Sequence, residues 1–159
     1  MHLNTLKPGA GSQKSRKKEQ FDVPILRKID IRGLKRVDES TVRDALMVIP
    51  GDEITPFVIN RNIRRIQATG YFDDIQSRLT NYKGGKKWTL TIKEHPAIRN
   101  IYFIGNQAIA SKNLREKITL KEGDQLNLKQ VREDIKRIEE FYKEEGFIFA
   151  NVYKIDVPD

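Results

Sequence analysis

At 159 residues, with 38% apolar and 33% charged side chains, the chain has the length of one ordinary domain or two small ones and the composition of a charge-rich globular protein. It has no cysteine, which excludes disulfides, thiolate nucleophiles and cysteine–zinc sites, and no apolar run approaches the roughly 18 residues of a membrane-spanning helix. The net charge of +8 is uneven: Lys7, Lys14, Arg16, Lys17 and Lys18 against Glu19 give the first 19 residues +4, so the remainder is only mildly basic.

Residues 1–21 hold Pro8, Gly9, Gly11, Ser12 and Ser15 among lysines, show no apolar periodicity, and are expected to be a disordered basic head. No apolar stretch follows their charges, so they do not read as a secretory signal. Met1-His2-Leu3-Asn4-Thr5-Leu6-Lys7-Pro8 with Gly11-Ser12 resembles the start of the bacterial ribosomal large-subunit protein fifteen, without the Gly/Arg-rich stretch that follows in that family.

From Ile25 the pattern changes. Ile29 and Ile31 alternate with Lys28, Asp30 and Arg32, the period of a half-buried strand, and Gly33 ends it. Asp38 is placed to cap a short helix carrying Val42, Leu46 and Met47, and Pro50-Gly51-Asp52 reads as a turn. Thr55-Pro56 opens a second helix, with Ile59, Ile63 and Ile66 on one face and Gly70 as its stop. Two strands follow. Residues 74–81 set Ile75 and Leu79 on one face with Ser77 between them; residues 86–93 set Trp88, Leu90 and Ile92 on the core face, and Gly84-Gly85 is expected to turn between them.

The chain then repeats this order. An offset of 72 carries Ile29 and Ile31 to Ile101 and Phe103, Gly33 to Gly105, Val42 to Leu114, Leu46 to Ile118 and Gly51 to Gly123. Gly70-Tyr71-Phe72 matches Gly146-Phe147-Ile148 at an offset of 76, which predicts that the second helix of the second unit is one turn longer. That helix is marked by a capping box, Asn127 with Gln130, and by a buried stripe of Val131, Ile135, Ile138 and Tyr142. Glu133 with Arg137 and Glu139 with Lys143 are expected to pair on its wet side. Strands are expected at 101–104 and 148–155, with a third strand missing. The fold class is therefore α+β: two tandem β-α-α-β-β units, the second lacking its last strand, divided as a head at 1–21 and domains at 22–95 and 96–159.

Ile-x-Ile-x-Gly at 29–33, Ile-x-Phe-x-Gly-Asn at 101–106, the helix ending Gly-Tyr-Phe at 70–72 and the junction Ile92-Lys93-Glu94-His95-Pro96-Ala97-Ile98 resemble the POTRA (polypeptide-transport-associated) domains of the BamA family and of the chloroplast import channel. The resemblance covers 24–159, with Phe147-Ile148 in place of Tyr-Phe in the second unit. It implies three-stranded mixed sheets with two helices on one face and the third strand central. It also implies a non-enzymatic interaction module at the periplasmic face of the outer membrane, needing no cofactor, metal or small-molecule substrate. The expected partners are unfolded outer-membrane proteins or accessory assembly subunits, and the parent chain would carry the membrane β-barrel.

The expected client site is an edge strand, Asp74-Ile75-Gln76-Ser77-Arg78-Leu79-Thr80-Asn81, whose unpaired backbone groups could accept an extended segment. Read plainly, the same strand is a sheet margin guarded by Arg78 and the aspartates. Glu94, His95, Pro96 and Ala97 are the expected inter-domain hinge or spacer, stiffened by Pro96. Arg61, Arg64 and Arg65 form a basic patch suited to anionic lipid or an acidic partner, or a solvated helix face. Asp73-Asp74 and Glu144-Glu145 lack a neighbouring histidine or nucleophile pattern, and the two histidines, His2 and His95, lie far apart in sequence, so neither catalysis nor metal binding is expected. A second class, an RNA-binding α+β protein, is prompted by the isoelectric point of 9.7 and the β-α-α-β order. The KH domain's Gly-x-x-Gly loop is missing from both inter-helix segments, 48–55 and 119–127. A third class is a scaffold POTRA module of a secretion or division system.

Overall fold

The structure, a computed structural model, describes residues 22–156; the basic head assigned to 1–21 lies outside the described residues. The first unit runs β1 (Leu26–Arg32), α1 (Glu39–Ala45), α2 (Pro56–Ala68), β2 (Phe72–Tyr82) and β3 (Gly85–Glu94). Its sheet has the order β1-β3-β2, with β1 parallel and β2 antiparallel to the central β3. Parallel pairing of β1 with β3 needs a long crossover, and both helices lie within it. They cover one face and enclose Leu26, Ile29, Val42, Val48, Ile54, Ile66, Phe72, Trp88, Leu90 and Ile92.

Trp88 is fully buried, as its place in the β3 alternation requires. A buried indole needs an acceptor, and Ser77 supplies it: Trp88 Nε1 donates to Ser77 Oγ at 2.6 Å. This is why a serine stands between Ile75 and Leu79 on the core side of β2. The hairpin turn is Lys83-Gly84, not Gly84-Gly85, because Tyr82 pairs with Gly85 and leaves two residues between them. Both have positive φ, 46° and 72°, as a primed two-residue turn demands.

The second unit has α3 (Ser111–Lys117) and α4 (Leu128–Glu144). The 72-residue offset maps the bounds of α1 onto those of α3 and the start of α2 onto that of α4; α4 has 17 residues against 13, the predicted extra turn. Gly33, Gly51 and Gly70 and their counterparts Gly105, Gly123 and Gly146 all have positive φ. The bridge Ile25–Glu53 recurs as Ala97–Gln125.

Two expected elements do not form. Residues 101–104 and 148–155 are not strands. In the first unit β1 and β2 touch only β3, never each other, and no described residue stands in β3's place beside 101–104 and 148–155. Their backbone groups therefore have no ladder to join. Phe103 and Val152 still pack against the small core of Ile109, Leu114 and Ile138, while Tyr102, Ile104, Phe149 and Tyr153 are exposed.

Helix caps follow the sequence in part. Thr55 Oγ1 accepts from the Val58 amide, and Asn127 accepts from Lys129 and Gln130. Asp38 makes no side-chain cap; only its carbonyl closes the turn, to Thr41. The Gln130 side chain donates to Thr119 Oγ1 and does not complete the capping box. Arg137 pairs with Asp134, three residues away, instead of Glu133, because Asp134 is buried beside it with carboxylate oxygens held in place.

Candidate functional site

The β2 edge is built by its neighbours. β3 takes one side of β2 along its whole length, from Phe72 against Glu94 to Tyr82 against Gly85. The other side meets no strand among the described residues. β1 is also a sheet margin, but its start is occupied. Leu26 donates to the Asp52 carbonyl (2.8 Å), Gly51 donates to the Leu26 carbonyl (2.7 Å), and Ile54 donates to the Pro24 carbonyl (2.8 Å). The turn at 51–54 thus covers the first residues of β1, and β2 offers the longer continuous margin.

The expected segment Asp74–Asn81 lies wholly inside β2. Its side chains alternate. Ile75 and Leu79 are half-buried against the core beneath α2, whereas Gln76, Arg78 and Thr80 point to the opposite, wet face beside Thr91, Thr89 and Lys87 of β3. With Arg32 of β1 these polar residues line a shallow groove of about 480 Å³. At the far end Asp73 pairs with Lys93 at 2.8 Å, and Lys93 with its charge holds the Asp73 carboxyl below its ordinary value.

The linker is anchored at each of its four residues. Glu94 accepts from the amides of Lys35, Arg36 and Val37 at 2.8–3.1 Å. Burial opposes ionisation there, but the three amides outweigh it and lower the Glu94 pKa. The His95 amide donates to the Tyr71 carbonyl, and the His95 carbonyl accepts from Gln125 Nε2. The Pro96 carbonyl accepts from Leu126, and Ala97 bridges to Gln125.

A second contact joins the units, and sequence reasoning missed it. The end of α2 meets the start of α4: Asn127 Nδ2 donates to the Thr69 carbonyl (3.0 Å) and the Leu128 amide to the Gly70 carbonyl (2.9 Å). Asn127 therefore caps α4 with its oxygen and closes α2 with its nitrogen. A conventional capping signal disguised this double role. Arg36 adds a bond to the Gly123 carbonyl at 3.2 Å.

Arg61, Arg64 and Arg65 are exposed on α2, as read from the sequence. The three are not equivalent. Arg65 Nε donates to the Ala45 carbonyl at 2.7 Å and ties α2 to the end of α1. Arg61 and Arg64 flank the exposed ring of Phe57 along a shallow groove that Ala68 completes.

The family model for POTRA, described as surface antigen variable number repeat, matches residues 24–95 and 96–159. The chain belongs to the POTRA family. It is 33% identical over 124 residues to the outer membrane protein assembly factor BamA of Nitratidesulfovibrio vulgaris, covering 78% of this chain and 16% of that protein. A putative outer membrane protein assembly factor of Treponema pallidum is 22% identical over 127 residues, 78% of this chain and 15% of that one. The chain thus spans about a sixth of the curated relatives it matches. Among solved structures, the N-terminal domain of Omp85 from Thermosynechococcus elongatus superposes with a TM-score of 0.72 at 24% identity, over 82% of this chain and 56% of that one. POTRA1-2 of the periplasmic domain of Omp85 from Anabaena gives 0.66 at 20% identity, over 83% and 86%. The two POTRA units account for the doubled glycine and bridge pattern, and the α+β class read from the sequence holds.

Proposed function

We propose that this tandem POTRA segment is a non-enzymatic interaction module of an outer-membrane protein assembly factor, acting on the periplasmic side. It receives an extended client, or a strand of an accessory subunit, along the outer edge of β2. The observation that carries the reading is the eleven-residue margin Phe72–Tyr82, which among the described residues is unpaired on one side while the start of β1 is covered. Unpaired backbone groups take a strand by main-chain hydrogen bonds that depend little on the incoming sequence, which suits a receptor of many unfolded precursors. The relatives' names point to the same setting. Glu94, His95, Pro96 and Ala97 serve as the joint that holds the two units at a restricted angle, supported by the bond that each of the four makes.

The test is an amide-shift titration of the labelled chain with a peptide copied from one strand of an outer-membrane barrel. Shifts concentrated along residues 72–82 are expected. Shifts confined to α2, or to residues 28–32 of β1, would overturn the assignment.

A further inference from the structure

The two faces beside the β2 edge differ in chemistry, and the difference selects among extended clients. We propose that the edge prefers a segment whose side chains alternate apolar and acidic, with the acidic residues on the wet face next to Arg78 and Lys87. This rests on the reading that β2 is the docking edge, and it names the kind of strand that docks.

An added strand places successive side chains on opposite faces of the sheet. On the helix side it lies beside Ile75 and Leu79, which are half-buried and incompletely covered. On the wet side it lies beside Asp74, Gln76, Arg78 and Thr80. Directly opposed side chains across a strand pair stand about 4.5–5.5 Å apart at Cβ, within easy reach of an arginine.

The wet groove contains Arg32, Arg78 and Lys87 with the hydroxyls of Thr80, Thr89 and Thr91, and among the described residues no carboxylate lines it. Arg32 is already spent on Asp30, at 2.7 Å. Among the described residues Arg78 makes no ion pair or hydrogen bond, whereas Lys87 lies 6.0 Å from the Tyr82 ring and its charge also acts on Asp30 of β1. Between Arg78 and Lys93 the sequence holds no acidic residue at all. Arg78, the cation without a partner, therefore flanks the position that an incoming side chain would take, and Lys87 on the adjacent strand, which shares Asp30 with Arg32, adds positive charge behind it. The other end of β2 carries Asp73, paired with Lys93, and Asp74, so an acidic residue is less favoured there than beside Arg78. The charge thus orients the segment along the edge as well as selecting it.

The test uses two peptides with identical valines at alternate positions, one with glutamates between them and one with lysines. Binding to the full chain is followed by amide shifts along 72–82. The glutamate peptide is expected to bind about three- to tenfold more tightly at low salt, the range set by one or two cross-strand charge pairs. The gap should narrow as salt shortens the screening length to about 10 Å. Arg78→Glu combined with Lys87→Glu should reverse the preference; both positions lie on the wet face, and unchanged amide positions in α1, α2 and the core side of β3 would verify folding. Equal affinity of the two peptides, with shifts along 72–82, would overturn the charge preference and leave the docking edge standing. A preference that survives the double substitution would overturn the assignment to Arg78 and Lys87. Shifts along 72–82 with neither peptide would overturn the docking edge itself.

Discussion

Asn62 and Asp134 are the same position in the two repeats, and both are buried. Each receives the amide that follows the preceding short helix: Met47 donates to Asn62 Oδ1 at 2.7 Å, and Thr119 donates to Asp134 at 2.9–3.0 Å. Asn62 also donates to the Val58 carbonyl, so the amide side chain is used at both ends. Asp134 can only accept, and takes Leu120 and the Thr119 hydroxyl as well, with Arg137 beside it. Burial disfavours its charge, but these donors together outweigh burial and lower its pKa. The sign of the linkage follows. The stabilisation is fully present above the ordinary carboxylate value of 3.8 and is lost as pH falls through the lower folded-state value. Asp134→Asn should keep one acceptor for Thr119, cost about 1.5–3 kcal/mol through the lost charged bonds, and abolish the acid-dependent loosening of α3 against α4. Amide exchange at Thr119 and Leu120, followed from pH 6 towards pH 3, measures both effects; an unchanged acid response in the variant would remove Asp134 from this role. These two residues went unread in the sequence because polar side chains in a helix usually face water. The available signal was their position: Asn62 sits among Ile59, Ile63 and Ile66, and Asp134 among Val131, Ile135 and Ile138, on the apolar stripe in both repeats.

Helices and turns were legible where the cause is local. The extra turn of α4 follows from the slip between offsets of 72 and 76, and the caps at Thr55 and Asn127 follow from residue type. Elements that need a distant partner were not legible. Alternation at 101–104 equals that at 29–31, yet only the latter has a β3 to pair with. The junction of α2 with α4 was hidden for the same reason, and it yields a matched comparison. Gly70 and Gly146 end corresponding helices with φ of 89° and 93°. A side chain at either site is strained by about 1–3 kcal/mol, the cost of left-handed backbone outside glycine. At Gly146 an added Cβ meets open space; at Gly70 it collides with Asn127 Oδ1 and comes within 2.7 Å of the Lys129 amide. Gly70→Ala should therefore destabilise more than Gly146→Ala. It should also shift the amides of Asn127, Leu128 and Lys129, which Gly146→Ala leaves in place. Equal losses in chemical melts, with those amides unmoved in both variants, would show that the helix junction carries no load between the units.

At the scale of the whole molecule, the two units share a plan and differ in how much of it is filled. The first unit closes a core of ten buried apolar residues around a paired sheet, whereas the second holds Ile109, Leu114 and Ile138 beneath two helices. Burial stabilises by roughly 25 cal/mol per Å² of apolar surface, and the second unit leaves Ile104, Phe149 and Tyr153 more than half exposed. Its 101–104 and 148–155 backbones also make no ladder hydrogen bonds among the described residues. What the second unit gains instead comes from the first: Asn127, Leu128 and Gln125 are held by Thr69, Gly70 and His95. The first turn of α4 is thus anchored to the better-packed unit, and the far end of α4 relies on the smaller core. Hydrogen exchange on this chain should show the strongest protection in β3, at Trp88, Leu90 and Ile92. Protection in α3 and the last turns of α4 should be lower by about a hundredfold or more, the ratio for roughly 3 kcal/mol less opening free energy. Within α4 it should fall from Val131 towards Tyr142 as the distance from the junction grows. Protection in α3 equal to that in β3 would show that the second unit is stable without a sheet, and a flat profile along α4 would show that the first unit does not brace it.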